Sequence, residues 1–276
     1  MDRNKVGFIG GGNMARAIAG GLVRSGFGAE NILIAEPLEK QRNALQEEFE
    51  GSTISASNAE VAEAAGNLLL AVKPQILGAV CGELKSIVQQ HMPVVISIAA
   101  GARADDIDTW LGGGLEIVRV MPNQPALIDQ GISALYANEQ AEEFGRILAE
   151  KVMSAVGRVV WLDDENLMDT VTAVSGTGPA YFYLLIDAMI ESSVSLGLDR
   201  KSARSLVLQT ARGATALASA EQETMSVLID RVRSPGGTTA AAFELLESAD
   251  VRGIFAAAIQ AARDRSIALA DEAGAD

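Results

Sequence analysis

The stretch Val6-Gly7-Phe8-Ile9-Gly10-Gly11-Gly12-Asn13-Met14-Ala15 decides the fold. Four apolar residues read as a buried strand. The glycines that follow match G-x-G-x-x-A, and Met14 to Arg24 reads as a helix with Ile18, Leu22 and Val23 as its larger apolar residues. Strand, glycine turn and helix in that order form the context in which the motif binds a dinucleotide. Gly10 permits the tight turn, Gly12 lets a pyrophosphate approach the backbone, and Ala15 lets helix and strand pack closely. The free amides and positive dipole at the helix start then hold the anion. A glycine turn with no ligand is the bland alternative, and the motif alone does not dismiss it.

Downstream, short apolar runs continue to alternate with helical patterns. Ile32 to Ala35, Leu68 to Val72, Val94 to Ile98 and Leu115 to Val120 read as strands, and Glu39 to Phe49 as a charged surface helix. Runs apolar on both faces argue for a parallel sheet covered on both sides. Ile132 to Tyr136 and Arg158 to Leu162 extend it around a helix at Glu139 to Val156. Glu36, at the end of the second strand, is an acid placed to accept both ribose hydroxyls, which suits NADH and repels the 2′-phosphate of NADPH. Arg42 and Asn58 offset that repulsion, so either cofactor fits. A solvated surface carboxylate is the alternative for Glu36.

After about Asp163 strand patterns stop. Helices are expected at Glu165 to Val174, Ala180 to Leu196, Arg200 to Ala220, Thr224 to Val232, Thr239 to Glu247 and Val251 to Glu272. The fold class expected is therefore an α/β Rossmann-type domain over residues 1–162, followed by an all-α domain over 163–276. The helix Ala180 to Leu196 is apolar on most sides, as buried helices are. Dimerisation through intertwined helices accounts for it, and a single helical domain packed on the sheet is the alternative.

Composition narrows the chemistry. The chain has 276 residues, of which 49% are hydrophobic, and a formal net charge of −14. Such a surface disfavours a nucleic-acid partner. No run of residues is apolar enough for a membrane span. Met1-Asp2-Arg3-Asn4-Lys5 lacks the apolar region of a signal peptide, so a cytoplasmic location is expected. Cys81 and His91 are the only residues of their kinds. A disulfide, a thiolate metal cluster and a Cys–His or His–His pair are thereby excluded, and no metal site is expected.

Four segments together resemble the pyrroline-5-carboxylate reductase family. They are Phe8 to Met14; Ala71-Val72-Lys73-Pro74-Gln75; Val118-Arg119-Val120-Met121-Pro122-Asn123; and Val174-Ser175-Gly176-Thr177-Gly178-Pro179-Ala180-Tyr181 with Arg233-Ser234-Pro235-Gly236-Gly237-Thr238-Thr239. Gln124 departs from the Thr common in the family, and Glu36 departs from NADPH-preferring members, which usually lack an acid there. The resemblance implies reduction of 1-pyrroline-5-carboxylate to L-proline by NADPH or NADH. It also implies an interlocked homodimer, with decamers common. Thr239 matches the position that supplies a hydroxyl to the substrate nitrogen.

The substrate so implied is a small cyclic imine with one carboxylate. Ser234, Gly236, Gly237, Thr238 and Thr239 form a helix start whose outward amides suit that carboxylate. Each charge-assisted bond is worth roughly 1.5–3 kcal/mol, so two or three suffice without an Arg. A plain helix cap is the alternative. Met121 and Pro122 wall the nicotinamide and substrate. The cofactor set is Gly10, Gly11, Gly12, Asn13, Met14, Glu36, Asn58, Ala71, Val72, Lys73, Pro74, Ser175 and Gly176. Lys73 reads either as a solvent-facing cation or as a cofactor neighbour. The glycines after Ser175 either permit close packing or border the nicotinamide. An iminium carries its proton before hydride arrives, so a chain poor in acid–base groups suits this chemistry better than alcohol oxidation. β-Hydroxyacid dehydrogenases need a Lys in the helix that here spans Ala180 to Leu196, and it has none. The other rival is a non-catalytic dinucleotide sensor, against which the intact Gly236 to Thr239 loop argues.

Overall fold

The structure, a computed structural model, describes residues 4–274. Met1, Asp2 and Arg3, part of the N-terminal expectation, lie outside the described residues. In chain order the elements are β1 (Val6–Ile9), α1 (Asn13–Arg24), β2 (Ile32–Ala35), α2 (Glu39–Glu48), β3 (Thr53–Ser55), α3 (Asn58–Ala64), β4 (Asn67–Leu70), α4 (Pro74–His91), β5 (Val94–Ser97), α5 (Ala104–Leu111), β6 (Ile117–Met121), β7 (Gly131–Ala137), α6 (Glu143–Ser154) and β8 (Gly157–Trp161). Then come α7 (Leu167–Val171), α8 (Gly178–Ser195), α9 (Arg200–Ala220), α10 (Met225–Val232), α11 (Thr238–Ser248) and α12 (Val251–Gly274). The chain forms two compact units, one holding residues up to Thr177 together with those from Ala262 on, the other Gly178–Ala261.

The first unit is built on an eight-stranded sheet of order β3-β2-β1-β4-β5-β6-β7-β8. Its strands alternate faces, and each face has its own core. Phe8, Ile34, Leu69 and Val118 meet Ile18, Leu22, Leu45 and Val152 of α1, α2 and α6. Ile9, Leu33, Leu70 and Ile117 meet Val61, Leu77, Leu84 and Ile107 of α3, α4 and α5. Burying each such side chain contributes roughly 1.5–3 kcal/mol.

The sheet corrects the parallel expectation at one place. β7 runs antiparallel to β6, pairing Arg119 with Tyr136 and Met121 with Ala134. Only residues 122–130 join the two strands, and a parallel crossover needs about a dozen residues or more. β8 returns parallel to β7 through α6. The remaining pairs are parallel, so β1, β4, β5 and β6 deliver their carboxyl ends to one edge. The chain order reverses between β1 and β4, the crevice where open α/β sheets bind ligands.

The second unit is a helical hairpin, α8 against α9, followed by α10, α11 and the first part of α12. Its internal core is small: Ile190, Ala203 and Val207, with Ile186 and Val194 packed on it. Among its larger apolar side chains, Leu184 is 71% and Leu245 72% exposed. α8 therefore keeps the apolar composition read from sequence without burying it inside its own chain. Among the described residues no helix is long and apolar enough to cross a membrane.

Candidate functional site

The first unit gathers one set of the expected residues at the carboxyl edge of its sheet. Gly10 leaves β1 with φ +104°, and a Cβ there would stand 2.9 Å from the carbonyl oxygen of Ala71. An L side chain is strained at that φ and blocked by backbone as well. Ala71, in turn, donates its N–H to the carbonyl of Ile9 at 2.9 Å, so the turns after β1 and β4 are tied together. Gly12 precedes α1 with no side-chain cap, and α1 has no acidic residue in its first turn. A Cβ on Gly12 would meet nothing within 4 Å, so the space above it is open. Asn13 is exposed and Met14 half-buried. The first amides of α1 have no carbonyl to bond within the helix. The one nearby cation of α1, Arg16, is paired with Glu48. Donors without side-chain competition are what a pyrophosphate needs.

Glu36 is only 6% exposed. Its Oε2 accepts the Gly11 N–H at 3.2 Å, and its Oε1 accepts the Leu38 N–H at 2.9 Å. The carboxylate thus ties the glycine loop to the end of β2, which the sequence alone did not reveal. It is not a solvated surface acid. Each oxygen keeps further acceptor capacity for a sugar hydroxyl. Beside it, Nη1 of Arg42 donates to the carbonyls of Glu36, at 3.0 Å, and Pro37, at 2.6 Å. Among the described residues Arg42 has no carboxylate partner, so its charge stands free at the same edge. Asn58, half-buried, opens α3 after Ser57 has capped it by accepting the Glu60 N–H.

Lys73 is the residue before α4, exposed, and makes no ion pair among the described residues; Pro74 takes the first helical position. Val72 packs over Gly10, its Cγ1 lying 3.2 Å from where a Cβ would be. Met121 ends β6, and Pro122 behind it is buried. Ser175 and Gly176 lie in a single turn of π-helix, Thr172–Gly176, closed by the Thr177 N–H on the Thr172 carbonyl at 2.8 Å. Such turns place backbone where a regular helix does not. A Cβ on Gly176 would meet Met121 Cε at 2.5 Å, so absence of a side chain lets these two expected residues touch.

The second unit holds the other set by itself. Gly236 has φ +70°, and the Gly237 N–H donates to the Ser234 carbonyl at 3.0 Å. This turn feeds α11, whose preceding residue Gly237 offers no side-chain cap and whose first turn has no acid. Ser234, Gly236 and Thr238 are exposed; Gly237 and Thr239 are half-buried. The amides of Thr238, Thr239 and Ala240 open the helix and have no intrahelical acceptor. Arg233 lies at the loop's other end but pairs with Glu247 through both nitrogens, at 2.7 and 3.1 Å, and stacks on Phe243. Its charge is raised in pKa by that carboxylate, which it lowers in turn. Arg233 is therefore a brace that closes α11 onto its own loop. No periodicity in the sequence signals a pair fourteen residues apart.

Two groups that chemistry could have used are out of play. Cys81 is buried in α4, and burial pushes its thiol up to about 12, so it stays protonated. His91 is exposed in the last turn of α4. Sequence reading also passed over Arg119, a charge in the middle of an otherwise apolar strand. That position was the available signal: Arg119 is 5% exposed and donates to Glu165 at 2.9 Å.

Comparison with known proteins gives two family models. "Pyrroline-5-carboxylate reductase dimerisation" matches residues 165–269, and "NADP oxidoreductase coenzyme F420-dependent" matches residues 5–101. The pyrroline-5-carboxylate reductase of Pseudomonas aeruginosa is 42% identical over 274 residues, 99% of this chain and 100% of that protein. A solved pyrroline-5-carboxylate reductase from Coxiella burnetii superposes with a TM-score of 0.90 at 37% identity, covering 97% of this chain and 99% of that one. A Plasmodium falciparum pyrroline carboxylate reductase, solved with NADP bound, gives 0.87 at 30% identity, with 96% and 98% covered.

Proposed function

The chain belongs to the pyrroline-5-carboxylate reductase family, and from that premise we propose how its residues divide the work of reducing 1-pyrroline-5-carboxylate to L-proline. When bound, the dinucleotide supplies hydride from its reduced nicotinamide, and either NADPH or NADH serves. The chain's own part is mostly positioning. Main-chain N–H groups of Gly12, Asn13 and Met14 hold the pyrophosphate, while Gly11, whose N–H is given to Glu36, shapes the loop. Glu36 fixes the loop and accepts a ribose hydroxyl, while the free charge of Arg42, with Asn58, admits the 2′-phosphate. Ala71, Val72, Lys73 and Pro74 line the crevice by their backbone. Ser175 and Gly176 border the nicotinamide, with Met121 as the wall.

The substrate carboxylate lies on the free amides of Thr238 and Thr239 at the start of α11, with Ser234, Gly236 and Gly237, whose N–H is given to the Ser234 carbonyl, shaping the turn. That orphaned run of amides, with its only Arg already spent on Glu247, is the observation that carries this reading. The Thr239 hydroxyl orients the ring nitrogen. Hydride adds to the imine carbon, the C=N electron pair stays on nitrogen, and the nitrogen proton is one the iminium already carries. No buried acid is required.

The division into a cofactor domain, 1–162, and a helical domain, 163–276, is supported by the end of the sheet at Trp161 and by the dimerisation match from residue 165, whereas the compact units divide at Thr177 and count the residues from Ala262 on with the sheet. The chain dimerises. Interlocking of the two copies, and assembly of dimers into a decamer, extend that statement and are supported by the uncovered apolar faces of α8 and α11. Action in the cytoplasm belongs to the same proposal.

The test is Thr239→Ala beside Thr239→Ser. The Ala variant loses about 10- to 100-fold in kcat with NADPH affinity within about twofold, and the Ser variant recovers most of the turnover. Unchanged kcat in Thr239→Ala removes that hydroxyl from the reaction.

A further inference from the structure

Arg119 sits two residues before Met121 on β6, so both side chains leave the strand on the same face. It is buried, and its Nη1 lies 2.9 Å from Glu165 Oε1. The same oxygen accepts the N–H of Ala104 at 2.8 Å, the first residue of α5, whose preceding residue gives it no side-chain cap. One carboxylate oxygen therefore joins β6, the start of α5 and the segment leading into α7.

From Glu165 the chain runs through α7 and the π-turn to Gly176, where it meets β6 again at Met121 Cε. This stretch is stiff. Met168 and Ala173 are fully buried, and the hydroxyls of Thr172, Ser175 and Thr177 each bond a carbonyl within it, of Met168, Val171 and Thr172 respectively. A stiff segment attached to one strand at two points, 119 to 165 and 121 to 176, has its end fixed in position.

We propose that Arg119 and Glu165 are a positioning pair. They set the placement of the Ser175–Gly176 turn against Met121, and hence the alignment of the nicotinamide wall for hydride transfer, while touching neither cofactor nor substrate. The inference rests on the assignment of Met121, Ser175 and Gly176 made above. Apolar residues of similar volume often replace a buried ion pair at little cost, so the pair's weight here falls on geometry, with the Ala104 N–H the one donor that such a replacement leaves without its acceptor.

The experiment compares the parent enzyme with R119M/E165M, R119K and E165Q, with NADPH as cofactor. Three quantities are read: NADPH affinity by fluorescence, kcat with 1-pyrroline-5-carboxylate, and the isotope effect on kcat with NADPH deuterated at the transferred position. In the double variant NADPH affinity stays within about twofold, since the glycine loop is untouched. Its kcat falls about tenfold or more, and the isotope effect rises because hydride transfer becomes limiting. R119K recovers part of the turnover. E165Q, which keeps the shape and removes the charge, moves kcat and isotope effect the same way and carries the test if the double variant does not fold. Turnover within twofold of the parent in either E165Q or a folded double variant overturns the proposal. So does a loss of kcat with the isotope effect unchanged, which marks a merely structural role. A parent enzyme that does not consume NADPH with this imine overturns the functional reading itself, and the pair with it.

Discussion

At Glu36 two amides share the carboxylate that is proposed to accept a ribose hydroxyl. Because the Gly11 and Leu38 N–H groups already bond it, Glu36→Ser acts twice. It removes a charge that opposes the 2′-phosphate, worth about 1–2 kcal/mol at that edge, and it releases the glycine loop. The ratio of kcat/KM for NADPH over NADH therefore rises about tenfold, while kcat/KM for NADH falls. A steady-state comparison of the two cofactors measures it, and an unmoved ratio means the side chain does not read the ribose. Arg42 gives the converse: Arg42→Ala lowers that ratio by a similar factor, because the unpaired guanidinium no longer meets the phosphate. Cys81 provides an internal control. With its thiol pushed up to about 12 and buried, it is protonated at neutral pH and does not react with a thiol reagent until the protein is unfolded. Rapid labelling of the native enzyme would contradict its packing among Leu77, Leu84 and Val88.

The turn before α11 makes a prediction at the level of an element. Gly236 is left-handed at φ +70° with nothing within 4 Å of where a Cβ would stand, so a side chain there meets strain and not a clash. Gly236→Asn, which tolerates that conformation, keeps more turnover than Gly236→Val, whose branched side chain does not. Equal losses would place the defect in crowding and not in backbone shape. Elements differ in how plainly the sequence announces them. Arg200–Ala220 begins and ends where its pattern does, because Asp199 caps it and its apolar stripe is regular. β3 was not legible: Thr53–Ser55 is three residues long, on the sheet's edge, without an apolar run. β7's reversed direction was not legible from its composition, only from the short link that precedes it. In the site, the glycine loop and the loop before α11 were visible as motifs, since backbone donors leave glycine patterns. The Glu36 tie, the Arg233–Glu247 brace and the Arg119–Glu165 pair were not, because contacts between distant side chains carry no local period.

For the molecule as a whole, the second unit has more apolar surface than a single chain covers. Leu184 and Leu245 stand out on α8 and α11, and the proposed interlocked dimer is what would cover them. Leu184→Glu places a charge in that covered surface at a cost of several kcal/mol, so dimer affinity drops more than about a hundredfold. Light scattering on the eluting protein shows monomers at concentrations where the parent is dimeric; an intact dimer would mean that α8 faces solvent in the assembly. In the proposed reading both anion sites are main-chain sites, which lets a chain of net charge −14 take two anionic guests without a basic patch. The most direct test of that claim is a crystal structure of the assembled enzyme with NADP⁺ and proline. The account predicts proline carboxylate oxygens at hydrogen-bond distance from the Thr238 and Thr239 amides, with the ring beside the nicotinamide and no Arg or Lys on the carboxylate. A carboxylate gripped by a cationic side chain, with the loop around Gly237 turned away from the nicotinamide in every copy, would contradict it.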